Sequence, residues 1–144
     1  MTPTYHSYPF VRSVFDKMMQ TAVHMLKDAP NTRLTQVIVL LTSKGKEYSA
    51  IVEDVLSDEK IAEKALIKEM RKDGDTELRY MMALWKSGSC VDLPSYDFRK
   101  MLCRMNPENK NAAIFMNETA NYTVVPLGST MANFDFLNEE DDTL

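Results

Sequence analysis

The sequence predicts one α/β domain, a five-stranded mixed sheet with helices packed on it. Three observations carry that expectation. Apolar residues recur at helical period in three separate stretches, with short continuous apolar runs between them. The run Val37-Ile38-Val39-Leu40-Leu41 is rich in β-branched residues and suits a strand buried on both faces. The last two runs, Ala112 to Met116 and Tyr122 to Val125, are five residues apart. That is too short for a helical crossover, so they form an antiparallel hairpin.

The elements follow in order. From Pro9 to about Lys27, Val11, Val14, Phe15, Met18, Ala22, Val23 and Leu26 recur at three and four, which predicts a helix with one wet face. Pro30 and the polar Asn31-Thr32-Arg33 end it. Thr35 to Thr42 is the first strand, Ser43-Lys44-Gly45-Lys46 a hairpin turn, and Glu47 to Glu53 the second strand. Ser57 or Asp58 caps a second helix, with Glu59 in its first turn and Ile61, Ala62, Ala65, Leu66 and Met70 on its buried face. Gly74 lies just past its end. Leu78 to Trp85 is a third strand, turned by Ser87-Gly88. Ser95 caps a third helix that presents Phe98, Met101, Leu102 and Met105, and Pro107 stops it.

A chain of 144 residues fits a single domain. It is assigned to residues 1–137, with the acidic segment 138–144 as a solvated tail. The composition, 44% apolar and 26% charged, is that of a globular chain. A net charge of −4 argues against binding driven by nucleic-acid phosphates, which needs a basic face. No apolar run reaches the ~18 residues of a membrane span. The first residues carry neither a basic cluster nor an apolar core, so a cytoplasmic protein without membrane contact is expected. The 2 Cys are too few for a disulfide framework. The 11 Met point to an adaptable core or interface.

Several separated motifs line up. Ala29-Pro30 is followed, after six intervening residues, by the strand residues Val37 to Thr42, and Thr42-x-x-Gly45-Lys46-x-Tyr48 spans the first hairpin. Ala62-Glu63 lies in the second helix, and Pro94-Ser95-Tyr96-Asp97-Phe98-Arg99 opens the third. Leu127 and Phe134 follow the last strand. Together, over about residues 20 to 137, the chain resembles the small cytidine and blasticidin deaminases. The resemblance implies a cytidine-deaminase-like fold, a zinc-bound water and a proton-shuttling Glu that is not itself a ligand. It places the shuttle at Glu63 and the three zinc-ligand positions at Ile61, Ser95 and Phe98.

Those positions depart from the family. Zinc takes thiolate, imidazole or carboxylate donors. Ile and Phe offer none, and a Ser hydroxyl is a poor one. Zinc lowers the pKa of its water from ~15.7 to about 7, worth roughly 12 kcal/mol at ~1.36 kcal/mol per unit. A lone carboxylate cannot replace that, so no zinc and no other cofactor is expected. Val52-Glu53-Asp54 stands where the family reads Asn-x-Glu, which leaves Glu53 and Asp54 as substrate-binding candidates by position. Leu34 replaces the family's substrate-contacting aromatic residue.

Glu63 borders the expected Ile61-Ala62-Ala65-Leu66 stripe, so it is placed on the wet face. Ile61 and Phe98 are expected to meet across the former metal site and fill it. Cys90 and Cys103 read as core, His24 as a packed or partly exposed histidine, Lys44 and Lys46 as solubilising, and Arg99 as a partner for Asp97 or a neighbouring carboxylate. The leading functional expectation is a catalytically inactive, zinc-free binding or scaffold protein. It is expected to assemble as a homo-oligomer through the first and third helices and to take a small nucleoside-like ligand. The alternative is a nucleoside- or base-binding, deaminase-like hydrolase using Glu63 as acid and base. A third is an unrelated α/β interaction domain.

Overall fold

A computed structural model describes residues 8–88, 90–118 and 121–131. Phe134 and the acidic segment 138–144 lie outside the described residues. The elements are α1 (Arg12–Leu26), β1 (Gln36–Thr42), β2 (Glu47–Val52), α2 (Ile61–Lys72), β3 (Leu78–Trp85), β4 (Val91–Asp92), α3 (Tyr96–Met105), β5 (Ala113–Glu118) and β6 (Asn121–Pro126). Short 3-10 helices follow α3 at Pro107–Asn111 and β6 at Leu127–Thr130.

The strands form one mixed sheet in the order β2-β1-β3-β5-β6. Among the described strands only β3 and β5 pair in parallel. The expected β1–β2 and β5–β6 hairpins are both antiparallel. Among the described residues the sheet has six strands rather than five, because Val91 and Asp92 pair antiparallel with Leu84 and Ala83. Two residues carry no period that a sequence can display.

Helices cover both faces. The odd-numbered β1 residues Val37 and Val39 pack with Phe15, Met18 and Ala22 of α1. The even-numbered Ile38 and Leu40 pack with Leu66, Ile67 and Met70 of α2 and with Phe98 and Leu102 of α3. That two-sided burial is why the β1 run is continuously apolar. On α1, Val23 is exposed rather than on the stripe. Among the described residues no helix is long and apolar enough to cross a membrane.

The start and register of α2 differ from expectation. Ser57 and Asp58 do not cap it. Ser57 Oγ accepts from Glu59 N–H within a preceding turn, and the helix begins at Ile61 behind Lys60, whose backbone is left-handed at φ 52°. The buried row is Glu63, Leu66, Ile67 and Met70, and Ile61 and Ala65 face solvent. These four buried residues stand at i, i+3, i+4 and i+7, the spacing of a single helix face.

The first hairpin is tied to the end of α2. Lys46 Nζ lies 2.8 Å from Asp73 Oδ2 and 4.6 Å above the Tyr48 ring, so Lys46 is more than a solubilising charge. Lys44 Nζ donates to Gly74 O at 3.1 Å. Tyr48 donates its hydroxyl proton to Asp73 Oδ2 at 2.7 Å. The bonds from Lys46 and Tyr48 hold the Asp73 carboxyl below its ordinary range. Burial, then the Asp73 bond, pushes Tyr48 up to about 12. A folded pKa above the unfolded one stabilises at pH below the unfolded value, and that contribution is lost as pH rises through the folded value. Alkaline titration is therefore expected to lower stability between about pH 10 and about pH 12. In Tyr48→Phe that part of the slope should be missing from denaturation curves taken at a series of pH values; an unchanged slope would place the ionisation elsewhere.

Candidate functional site

One end of the sheet gathers the start of β1, the ends of β2 and β3, and the beginnings of α2 and α3. Backbone bonds fix it. Lys86 N–H donates to Thr35 O at 2.9 Å and Val55 N–H to Leu34 O at 3.0 Å. Thr35 Oγ1 donates to Glu53 O at 2.9 Å. The loop between β2 and α2 is therefore held against the sheet, and it borders a cleft of about 400 Å³ that is open to solvent on one side. Ile51, Val52, Ala62 and Ala65 give the cavity apolar wall, and Glu53, Asp54, Lys60 and Glu63 give it polar groups.

Of the residues singled out in the sequence, Glu53, Asp54, Ile61 and Glu63 are brought together on this lining. Glu53 and Asp54 are exposed at the rim, where Asp54 Oδ1 also accepts from Leu56 N–H at 2.9 Å. Glu63 is only 3% exposed, which corrects its expected place on the wet face. The cause is the register of α2: Glu63 heads the buried row. The same rotation turns Ile61 outward to 71% exposure, so Ile61 and Phe98 do not meet in the core. Phe98 is fully buried in the cluster that also holds Leu102, with Ala62 packed against it. Ser95 caps α3 as expected, its Oγ accepting from Phe98 N–H at 3.1 Å.

Lys60 was not anticipated. Its side chain is 7% exposed, and Nζ donates to Val55 O at 2.6 Å. Nζ also lies 4.0 Å from Glu63 Oε2. Gln36 was hidden inside the β1 run. It is 1% exposed on the α2/α3 side of the sheet and donates from Nε2 to Leu93 O at 3.0 Å, with Oε1 buried and unpaired. The available signal was a polar side chain opening an otherwise apolar strand, opposite Val52 of the cavity wall.

Arg99 does not pair with Asp97. Its Nε donates to Pro94 O at 3.1 Å, and Nη1 donates to Thr130 O at 2.8 Å and Thr130 Oγ1 at 3.1 Å. Those bonds tie α3 to the 3-10 helix after β6, and burial lowers the Arg99 pKa. Cys103 is core, and burial raises its thiol to about 11, but Cys90 is exposed. His24 is exposed on α1, across the sheet from Cys103. Leu34 is 38% exposed. Among the described residues no three His, Cys, Asp or Glu side chains converge to hold a metal ion.

No protein-family model and no curated protein sequence matches the chain. Solved structures do. The crystal structure of cytidine deaminase from Bacillus anthracis aligns with a TM-score of 0.63 at 12% identity, covering 87% of this chain and 92% of that one. Cytidine deaminase from Mycobacterium leprae aligns with a TM-score of 0.61 at 14% identity, covering 83% of this chain and 98% of that one. Cytidine deaminase from Mycobacterium tuberculosis aligns at 0.58 and 17% identity, covering 83% and 94%. The chain has a cytidine-deaminase-like fold.

Proposed function

We propose that this chain is a cytidine-deaminase-like binding or scaffold protein that works without zinc and does not catalyse hydrolytic deamination. The observation that carries the reading is the chemistry of the three positions the resemblance assigns to the metal. Ile61 has no donor atom and faces solvent, Phe98 has none and is core, and the Ser95 hydroxyl is engaged as a helix cap. That set does not fit an ion that takes thiolate, imidazole or carboxylate donors. A cavity of about 400 Å³ is of small-molecule size. Its apolar walls suit the faces of a base, and the rim carboxylates Glu53 and Asp54 suit hydroxyl groups, so a nucleoside-like ligand is the class proposed. A homo-oligomer built through α1 and α3 belongs to the same proposal and would cover the exposed Val23 and Tyr96.

A second reading is favoured by one observation, the burial of Glu63 in the cavity. There it would act as acid and base in a deaminase-like hydrolase without the family's metal. Ammonia release from cytidine, deoxycytidine and cytosine separates the two. The first reading expects none above background. Turnover that Glu63→Gln abolishes would replace it with the second.

A further inference from the structure

Helix α2 buries one face and turns the other to water. Lys64, Lys68, Arg71 and Lys72 are exposed and stand at i, i+4, i+7 and i+8, which places them on one stripe opposite the buried row. Lys68 is three or four residues from each of Lys64, Arg71 and Lys72, the spacing at which like charges repel and destabilise a helix. Among the described residues Lys64, Lys68 and Arg71 make no salt bridge and no side-chain hydrogen bond, and Lys72 acts only as a nearby charge on Asp73. Glu69 is exposed too, but it stands ~100° round the helix from Lys68, at the edge of the stripe. Cations elsewhere are engaged: Lys46 with Asp73, and Lys44 and Lys86 with backbone carbonyls.

The chain itself supplies the matching charge. Its net charge is −4, yet Asp135, Glu139, Glu140, Asp141 and Asp142 all follow Met131, so the part up to Met131 is slightly positive. Met131 is buried in the cluster that holds Leu66, Ile67 and Met70 of α2, and its Sδ lies 4.0 Å from Cys103 Sγ of α3. The acidic run is therefore tethered on the side of the sheet that carries α2. Residues 132–138 can span up to ~25 Å, and α2 is ~18 Å long at ~1.5 Å per residue, so the run reaches every part of the stripe. The lengths also agree. Glu139 to Asp142 covers ~10 Å when extended, and Lys64 to Lys72 covers ~12 Å of helix.

We infer that the acidic segment 138–144 docks on the outward face of α2 of its own chain, with Glu139, Glu140, Asp141 and Asp142 against Lys64, Lys68, Arg71 and Lys72. The contact relieves the repulsion along the stripe and covers a basic face that would otherwise attract polyanions. Attachment to the same chain gives the segment an effective concentration on the order of millimolar, which favours it over the segment of a second copy. The pairs are exposed, so salt weakens them; the Debye length falls from ~10 Å at 0.1 M to ~3 Å at 1 M. The contact requires neither zinc nor a ligand in the cleft.

Carbodiimide coupling of the full chain, which joins a lysine amine to a carboxylate in direct contact, followed by peptide mass mapping, tests it. An equal mixture of isotope-labelled and unlabelled chains tells links within a chain from links between copies. The expected products join Lys64, Lys68 or Lys72 to Glu139, Glu140, Asp141 or Asp142 within one chain, several-fold above links to other lysines, and they fall several-fold at high salt. A full-length variant carrying Glu139→Gln, Glu140→Gln, Asp141→Asn and Asp142→Asn should shift the amide NMR signals of Lys64 to Lys72 and leave those of α1 in place. Links spread over the lysines of every face, links that join different copies, or α2 signals that the variant leaves unmoved would overturn the inference.

Discussion

Truncation of Phe98 to Ala is expected to cost about 3–5 kcal/mol, the range for a fully buried aromatic side chain. Phe98 is 0% exposed and belongs to the cluster that joins Leu66 and Met70 of α2, Leu102 of α3 and Met131 beyond the last strand. Its removal leaves a void in a cluster to which α2, α3 and the segment after β6 all contribute. Urea denaturation should show a lower midpoint with an unchanged slope, the sign of lost stability rather than an altered unfolded state. A loss below about 1 kcal/mol would mean that the site can close over the void or that the ring is not core.

Asn109→Ala is expected to cost about 2–5 kcal/mol, for a different reason. The side chain is 0% exposed and acts as a backbone surrogate at the start of β3. Oδ1 accepts from Leu78 N–H at 2.7 Å, and Nδ2 donates to Thr76 O at 3.0 Å and Leu102 O at 2.8 Å. Leu102 O keeps a second donor, Asn106 N–H at 3.2 Å, so Ala orphans chiefly the Leu78 and Thr76 groups. Each buried orphan costs about 1–3 kcal/mol. The same denaturation assay measures it, and a change within about 0.5 kcal/mol, typical of a surface substitution, would show that these groups find other partners.

The difference between these two residues shows what the sequence displays. Phe98 stands at i, i+3 and i+4 from Met101 and Leu102, and a period is visible in a single chain. Asn109 follows Pro107 in a stretch without period, and two of its partners, Thr76 and Leu78, lie 33 and 31 residues away. The sheet was legible because β1 and β3 are continuous apolar runs bounded by turns. The strand at Val91 was not, because two residues cannot show alternation.

The candidate site was legible in part for the same reasons. Glu53, Asp54 and Glu63 were found by position along the chain, and the structure does bring them to one cavity. Whether Glu63 faces water or protein depended on the phase of α2. Ile61, Ala62, Ala65, Leu66 and Met70 gave the expected stripe, whereas the row that packs is Glu63, Leu66, Ile67 and Met70. Burying Ile67 with Leu66 and Met70 brings Glu63, three residues before Leu66 and four before Ile67, onto the same face. Lys60 was missed because its importance lies in a left-handed backbone and a bond to Val55 O, neither of which leaves a mark in composition or spacing.

In the proposed function a deaminase-like fold is used without its metal. Elemental analysis of the full chain, desalted after purification in zinc-containing medium, is expected to find no stoichiometric zinc, because Ile61, Ser95 and Phe98 supply no set of donors for it. Stoichiometric zinc that resists dialysis would overturn the zinc-free reading and require a ligand set other than these three.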